Sequence, residues 1–147
     1  MGGEIGRWGF RAPEPSSCFQ LQDPTKLKVW VKAHRLSLDV MKAFTPQACR
    51  PVPDLRRQAI RAANSIVDCL SEGCGKRSPR ELARFADMAM GSAVELRGQI
   101  IRARDMRLIP QHVADRLEAQ VEEVRKMLYA LARSVRQQHG PRDDPLP

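Results

Sequence analysis

Four stretches of the chain repeat apolar residues at the three-and-four spacing of an α-helix, and breaks rich in Pro and Gly separate them. In the first, about residues 25–44, two apolar stripes share one cylinder. Leu27, Trp30, Val31, His34, Leu38 and Met41 form one; Val29, Ala33, Leu36, Val40 and Phe44 form another, well round from it. Lys28, Lys32, Arg35, Asp39 and Lys42 keep only a narrow polar wedge. So wide an apolar arc has to be covered on two sides. The stripe from Val29 to Phe44 is therefore expected at an oligomer interface, with the other stripe in the core. Asp23 or Thr25 is the expected N-cap.

The second helix is expected over residues 53–72, opened by Pro53-Asp54, with Leu55, Ala59, Ala62, Ala63, Ile66 and Leu70 inward. Pro79 opens the third, over 79–105, whose inward set is Leu82, Phe85, Ala86, Ala89, Ala93, Leu96 and Ile100, with Met90, Val94 and Ile101 beside it. Gly91 and Gly98 lie inside this helix, and each costs on the order of 1 kcal/mol relative to Ala. Close packing or a bend is expected to compensate. The fourth helix, 111–137, has the cleanest stripe: Val113, Leu117, Val121, Val124, Leu128, Leu131 and Val135.

The segment from Ile66 to Leu82 carries the sharpest stop and start signals. Glu72 is followed by Gly73 and Gly75, which suit a left-handed helix cap, and Ser78 with Glu81 has capping-box spacing around Pro79. A helix hairpin follows. Four helices with short connections predict an all-α, antiparallel up-down-up-down bundle. Residues 1–24 read as a flexible leader with Trp8, Phe10 and Phe19 as its large apolar groups, and 138–147 as a disordered tail.

Composition agrees with helices, since only 5% of the 147 residues are aromatic. Charge adds a partner class. The formal net charge is +8, mostly from Arg, whose planar fork suits phosphate oxygens, so an acidic partner is expected, RNA or DNA first and a membrane surface second. Cys18, Cys49, Cys69 and Cys74 form no Cys-x-x-Cys pair and no His stands at metal-like spacing, so no metal or cofactor is expected. Free thiols in a reducing cytoplasm are the expectation, and no apolar run is long enough to span a membrane.

Arg56, Arg57 and Arg61 in one place and Lys76, Arg77, Arg80 and Arg84 in another are the candidate nucleic-acid-binding residues. No aromatic side chains are interleaved with them, which favours phosphate or shape contacts over base stacking. Glu72 at a helix C-terminus opposes the macrodipole by about 0.3–1 kcal/mol, so a contact with Arg61, Lys76 or a neighbouring subunit is expected. His34, His112 and His139 belong to no nucleophile-base-carboxylate set, and no phosphate loop occurs, so an enzyme is not expected.

Leu27-Lys28-Val29-Trp30 with Ala33-His34, then Arg61-Ala62-Ala63-Asn64-Ser65-Ile66, then Glu72-Gly73-Cys74-Gly75-Lys76-Arg77-Ser78, then Gly91-Ser92 with Glu95-Leu96, carry a further signal. Together they resemble the bacterial four-helix-bundle family named after proteins encoded in intervening sequences of large-subunit ribosomal RNA genes. The resemblance implies a non-enzymatic bundle assembled as a ring-like homo-oligomer, typically a homopentamer. It also implies kinship with the accessory variability determinants of diversity-generating retroelements, which are thought to bind a reverse transcriptase and its RNA. The functional expectation is thus a structured-RNA binder, with an adaptor for a reverse transcriptase as the alternative.

Overall fold

Prolines stand at the start of three of the four helices, where a missing N–H leaves no hydrogen bond unmade. In the computed structural model, which describes residues 23–139, a short 3-10 turn at Pro24–Lys26 precedes α1 (Lys28–Ala43), α2 (Pro53–Cys74), α3 (Pro79–Asp105) and α4 (Gln111–Gln138). Pro53 and Pro79 each lie in the first turn of their helix, and Pro110 is the N-cap of α4. Asp23 does act as a cap, accepting from the Thr25 amide and hydroxyl, but of the 3-10 turn rather than of α1. The leader with Trp8, Phe10, Cys18 and Phe19, up to residue 22, and the tail over 140–147 lie outside the described residues.

Each helix packs on the next, and α1 closes the ring of four on α4. Polar links between neighbours show that they run antiparallel. Gln58 meets Gln99, Arg61 meets Glu95 and Ser65 meets Ser92 across α2 and α3. Arg104 meets Glu118 and Arg136 meets Asp87 across α3 and α4. On α1, Lys32 reaches Glu123 and Asp39 accepts from Gln120 of α4, while the Trp30 indole donates to the Ser71 hydroxyl of α2 at 2.8 Å. The protein is an all-α, up-down four-helix bundle.

Its core is one cluster drawn from all four helices. Leu36, Ile66, Leu70, Leu82, Leu96, Ile100, Leu117 and Leu128 are fully buried, and each contributes roughly 1.5–3 kcal/mol of transfer free energy. Alanines at 59, 62, 63, 86, 89 and 93 are buried on α2 and α3, and Ser65 and Ser92 hydrogen-bond between the two helices at 2.9 Å. Small side chains let these two axes come close.

Three expectations change. The α1 stripe placed at an oligomer interface, Val29, Ala33, Leu36, Val40 and Phe44, is buried in the chain's own core. It is Val31, His34, Leu38 and Met41 that face outward. The helix wheel separates two apolar arcs but carries no information on which of them the other helices cover. Gly75 caps α2 in the right-handed region (φ −77°, ψ −9°), so the α2 end is tightened by Gly75 and Lys76 amides bonding back into the last turn rather than by a left-handed residue. Finally, Gly91 and Gly98 are not packed closely within the chain: beyond the adjoining residues and the surrounding helix backbone, no atom lies within 4 Å of where a Cβ would sit.

Candidate nucleic-acid interface

The corner between α2 and α3 is set by Gly73. A Cβ there would stand 2.9 Å from Phe85 Cβ and 3.1 Å from Leu82 Cδ1, so hydrogen is the only substituent the contact accepts. This close approach brings the cations that follow α2 onto the first turns of α3. Lys76 Nζ lies 5.5 Å from the centre of the Phe85 ring and the Arg84 guanidinium 4.9 Å, so both are drawn to the aromatic ring as well as to carboxylates. Lys76 is 3.9 Å from Glu72, one of the three partners expected for that carboxylate, and Arg84 is 3.1 Å from Glu81.

Glu81 therefore turns toward Arg84, and the capping box does not form. Ser78 makes no side-chain hydrogen bond to the α3 amides. The first-turn amides of α3 are left with their partial positive charge directed at the loop that carries Arg77. Arg77 and Arg80 are exposed, and among the described residues neither has an acidic partner.

The second candidate cluster does not join the first. Arg57 lies near the opposite end of α2, about 25 Å away along the helix. Its members are also occupied. Arg57 pairs with Asp54, Arg61 with Glu95 at 3.4 Å, and Arg56 donates its Nε proton to the Phe44 carbonyl at 2.8 Å. Arg56 is thus a tie between the start of α2 and the end of α1, where a cation also complements the helix dipole.

One basic feature has no counterpart among the sequence candidates. At the α3–α4 turn an open cleft of about 610 Å³ is lined by Arg104, Asp105, Arg107, Leu108, Ile109, Pro110 and Gln111. Arg107 has φ 56°, and the Leu108 amide bonds to Ala103 O at 2.8 Å while the Arg107 amide bonds to Arg104 O at 2.9 Å. That pair of bonds is a Schellman cap with arginine where glycine is usual. Arg104 is held by Asp105 and Glu118, and the Asp105 hydrogen bond raises its already high pKa further. The sequence signal for this turn was Pro110; nothing in the side chains marks the left-handed position.

The remaining chemistry is quiet. Cys49, Cys69 and Cys74 are free and buried, and burial pushes the Cys74 thiol up to about 11 and the Cys49 thiol upward, which keeps both protonated. Among the described residues no group of three or more His, Cys, Asp or Glu could hold a metal ion, and no helix is long and apolar enough to cross a membrane. His34 stacks on Trp30 with ring centres 5.0 Å apart.

The fold and its charged corner define a small basic up-down four-helix-bundle protein. The chain belongs to the family described as 23S rRNA-intervening sequence protein, which matches residues 25–130 and so spans nearly the whole described bundle. No curated protein matches it.

Proposed function

We propose that the protein binds structured RNA through the α2–α3 corner, with Arg77 and Arg80 contacting phosphates and the first-turn amides of α3 adding hydrogen-bond donors. The observation that carries this reading is the charge imbalance at that corner: two exposed arginines without acidic partners, beside an uncapped helix N-terminus. Lys76 and Arg84 support them from the Phe85 ring, and their carboxylates are exposed enough to be exchanged for phosphate. Membership of a family named for 23S rRNA intervening sequences makes RNA a better candidate than DNA. Arg56, Arg57 and Arg61 are left out of this site because they lie toward the other end of α2, about 20–30 Å away along the helix, and Arg56 is held by Phe44 O. The role is one of binding without catalysis, in the reducing cytoplasm that three free thiols fit.

The test is fluorescence-anisotropy binding of nucleic-acid-free protein to a structured RNA and a matched DNA duplex between about 50 and 300 mM salt. An Arg77→Glu/Arg80→Glu variant runs alongside. Binding should fall steeply with salt, and the variant should lose about two units of the log-log salt slope, one for each phosphate contact. Absence of RNA binding at the lowest salt would sink the proposal and turn attention to a polypeptide partner such as a reverse transcriptase.

A further inference from the structure

The outer face of α4 carries an aromatic ring and a set of cations that the bundle's own packing does not use. Tyr129, the chain's single tyrosine, is 61% exposed, and it is the one exposed Phe, Trp or Tyr side chain among the described residues. The positions that share its side of the helix, three, four and seven residues away, are Glu122, Arg125, Lys126, Ala132, Arg133 and Arg136. Ala132 is buried, and four of the other five are cations. Glu122 is clasped by Arg125 through two hydrogen bonds of 3.0 Å, and Arg136 pairs with Asp87 of α3. Lys126 and Arg133 are exposed, and among the described residues neither makes an ion pair.

We propose that this face extends the RNA site: Tyr129 stacks on an unpaired base of structured RNA, and Lys126 and Arg133 hold the phosphates on either side of it. The ring stands between the two cations, which are about 10.5 Å apart along the helix. An aromatic side chain stacks on any base, and unpaired nucleotides are the ones whose faces are open, so the ligand class is an RNA with a loop or bulge. The core of a protein interface is poor in charge, whereas the neighbours of Tyr129 are charged nearly all round. Nucleic acid fits that setting better than a polypeptide.

The inference rests on the reading that the α2–α3 corner binds RNA, and the position of Tyr129 links it to that corner. Arg80 and Asp87 are seven residues apart and lie on one side of α3; Tyr129 and Arg136 are likewise seven apart on one side of α4. The Arg136–Asp87 pair joins the two rows. Because the helices are antiparallel, Arg80, that pair and Tyr129 follow one another along the α3–α4 groove over about 21 Å, the rise of about six stacked nucleotides at roughly 3.4 Å each. The aromatic group missing from among the corner's cations thus stands farther along the groove that begins at Arg80.

Fluorescence anisotropy on the full chain tests it with two RNAs, a hairpin with an unpaired loop and the same stem as a blunt duplex. The proteins are wild type, Tyr129→Leu, Tyr129→Phe and Lys126→Ala/Arg133→Ala. Tyr129 is exposed and leucine favours a helix, so the first variant keeps its fold, which circular dichroism melts verify. Tyr129→Leu should bind the hairpin about 5- to 100-fold more weakly at an unchanged salt slope, and the duplex within about twofold of wild type. Tyr129→Phe keeps the ring and should bind as wild type does, and the double variant should lose about two units of slope. Hairpin binding by Tyr129→Leu equal to wild type, or an equal loss on hairpin and duplex, would overturn the stacking role and leave the corner reading standing. A hairpin-specific loss in Tyr129→Leu beside full binding by Arg77→Glu/Arg80→Glu would uphold the α4 face and overturn the corner. A wild type that binds neither RNA at the lowest salt would overturn both.

Discussion

Gly73 and Phe85 touch so closely that a Cβ on the first would stand 2.9 Å from the Cβ of the second. Alanine normally stabilises a helix relative to glycine by about 1 kcal/mol, but here the obstacle is the root of a buried ring that cannot swing aside. Gly73→Ala is expected to lower stability by about 1–3 kcal/mol in urea denaturation, and Gly91→Ala, with open space around it, to raise it by about 0.5–1 kcal/mol. Equal effects of the two substitutions would show that α2 and α3 are not in contact through Gly73.

The core was legible because α-helical periodicity survives in the residue types themselves. Every inward position assigned to α2 and α3 is buried, from Leu55 to Leu70 and from Leu82 to Ile100. What the pattern could not resolve was choice between alternatives of equal hydrophobicity. On α1 both arcs are apolar, and only the position of α2 and α4 decides that Leu36 goes in and Leu38 stays out. The candidate site was legible in part for a related reason. A cluster of arginines can be counted, but whether Arg56 faces a phosphate or the Phe44 carbonyl depends on a loop whose course is set by long-range packing.

Arg107 is the described non-glycine residue with positive φ, at 56°. An L side chain in that region costs roughly 1 kcal/mol relative to glycine, and the Schellman bonds from Leu108 and Arg107 hold it there. Arg107→Gly should therefore raise stability by about 0.5–1 kcal/mol, read as a higher urea midpoint with an unchanged slope. A drop would indicate that the arginine side chain contributes more to the turn than its backbone strain removes.

Burial holds the Cys74 thiol at about 11, against an ordinary value of 9.0. Between those values the unfolded chain has released its proton and the folded chain has not, so the folded state binds more protons and stability falls as pH rises. The contribution is complete below pH 9.0 and is lost through about pH 11. Two units correspond to roughly 3 kcal/mol at most. The readout is the difference between wild type and Cys74→Ala across that window, which removes every contribution common to both proteins. Wild type should lose stability more steeply than the variant, and parallel curves would show that the Cys74 thiol ionises as readily folded as unfolded.

Arg56 separates a structural arginine from the phosphate-binding ones. Its Nε proton satisfies the Phe44 carbonyl at the C-terminal end of α1, just where the chain leaves the helix and that carbonyl has no helical partner. Arg56→Ala removes a charge-assisted bond in a part-buried setting and is expected to lower stability by about 1–2 kcal/mol, while RNA affinity at the far α2–α3 corner stays within about twofold once the protein is folded. Arg77→Glu/Arg80→Glu should do the opposite, leaving the urea midpoint near wild type while weakening RNA binding and flattening its salt dependence. Measuring both variants by denaturation and by anisotropy distinguishes the two roles. A large affinity loss in Arg56→Ala at a temperature where it is folded would move the interface to the other end of the bundle, toward Arg57, Arg61 and the cleft beside Arg107.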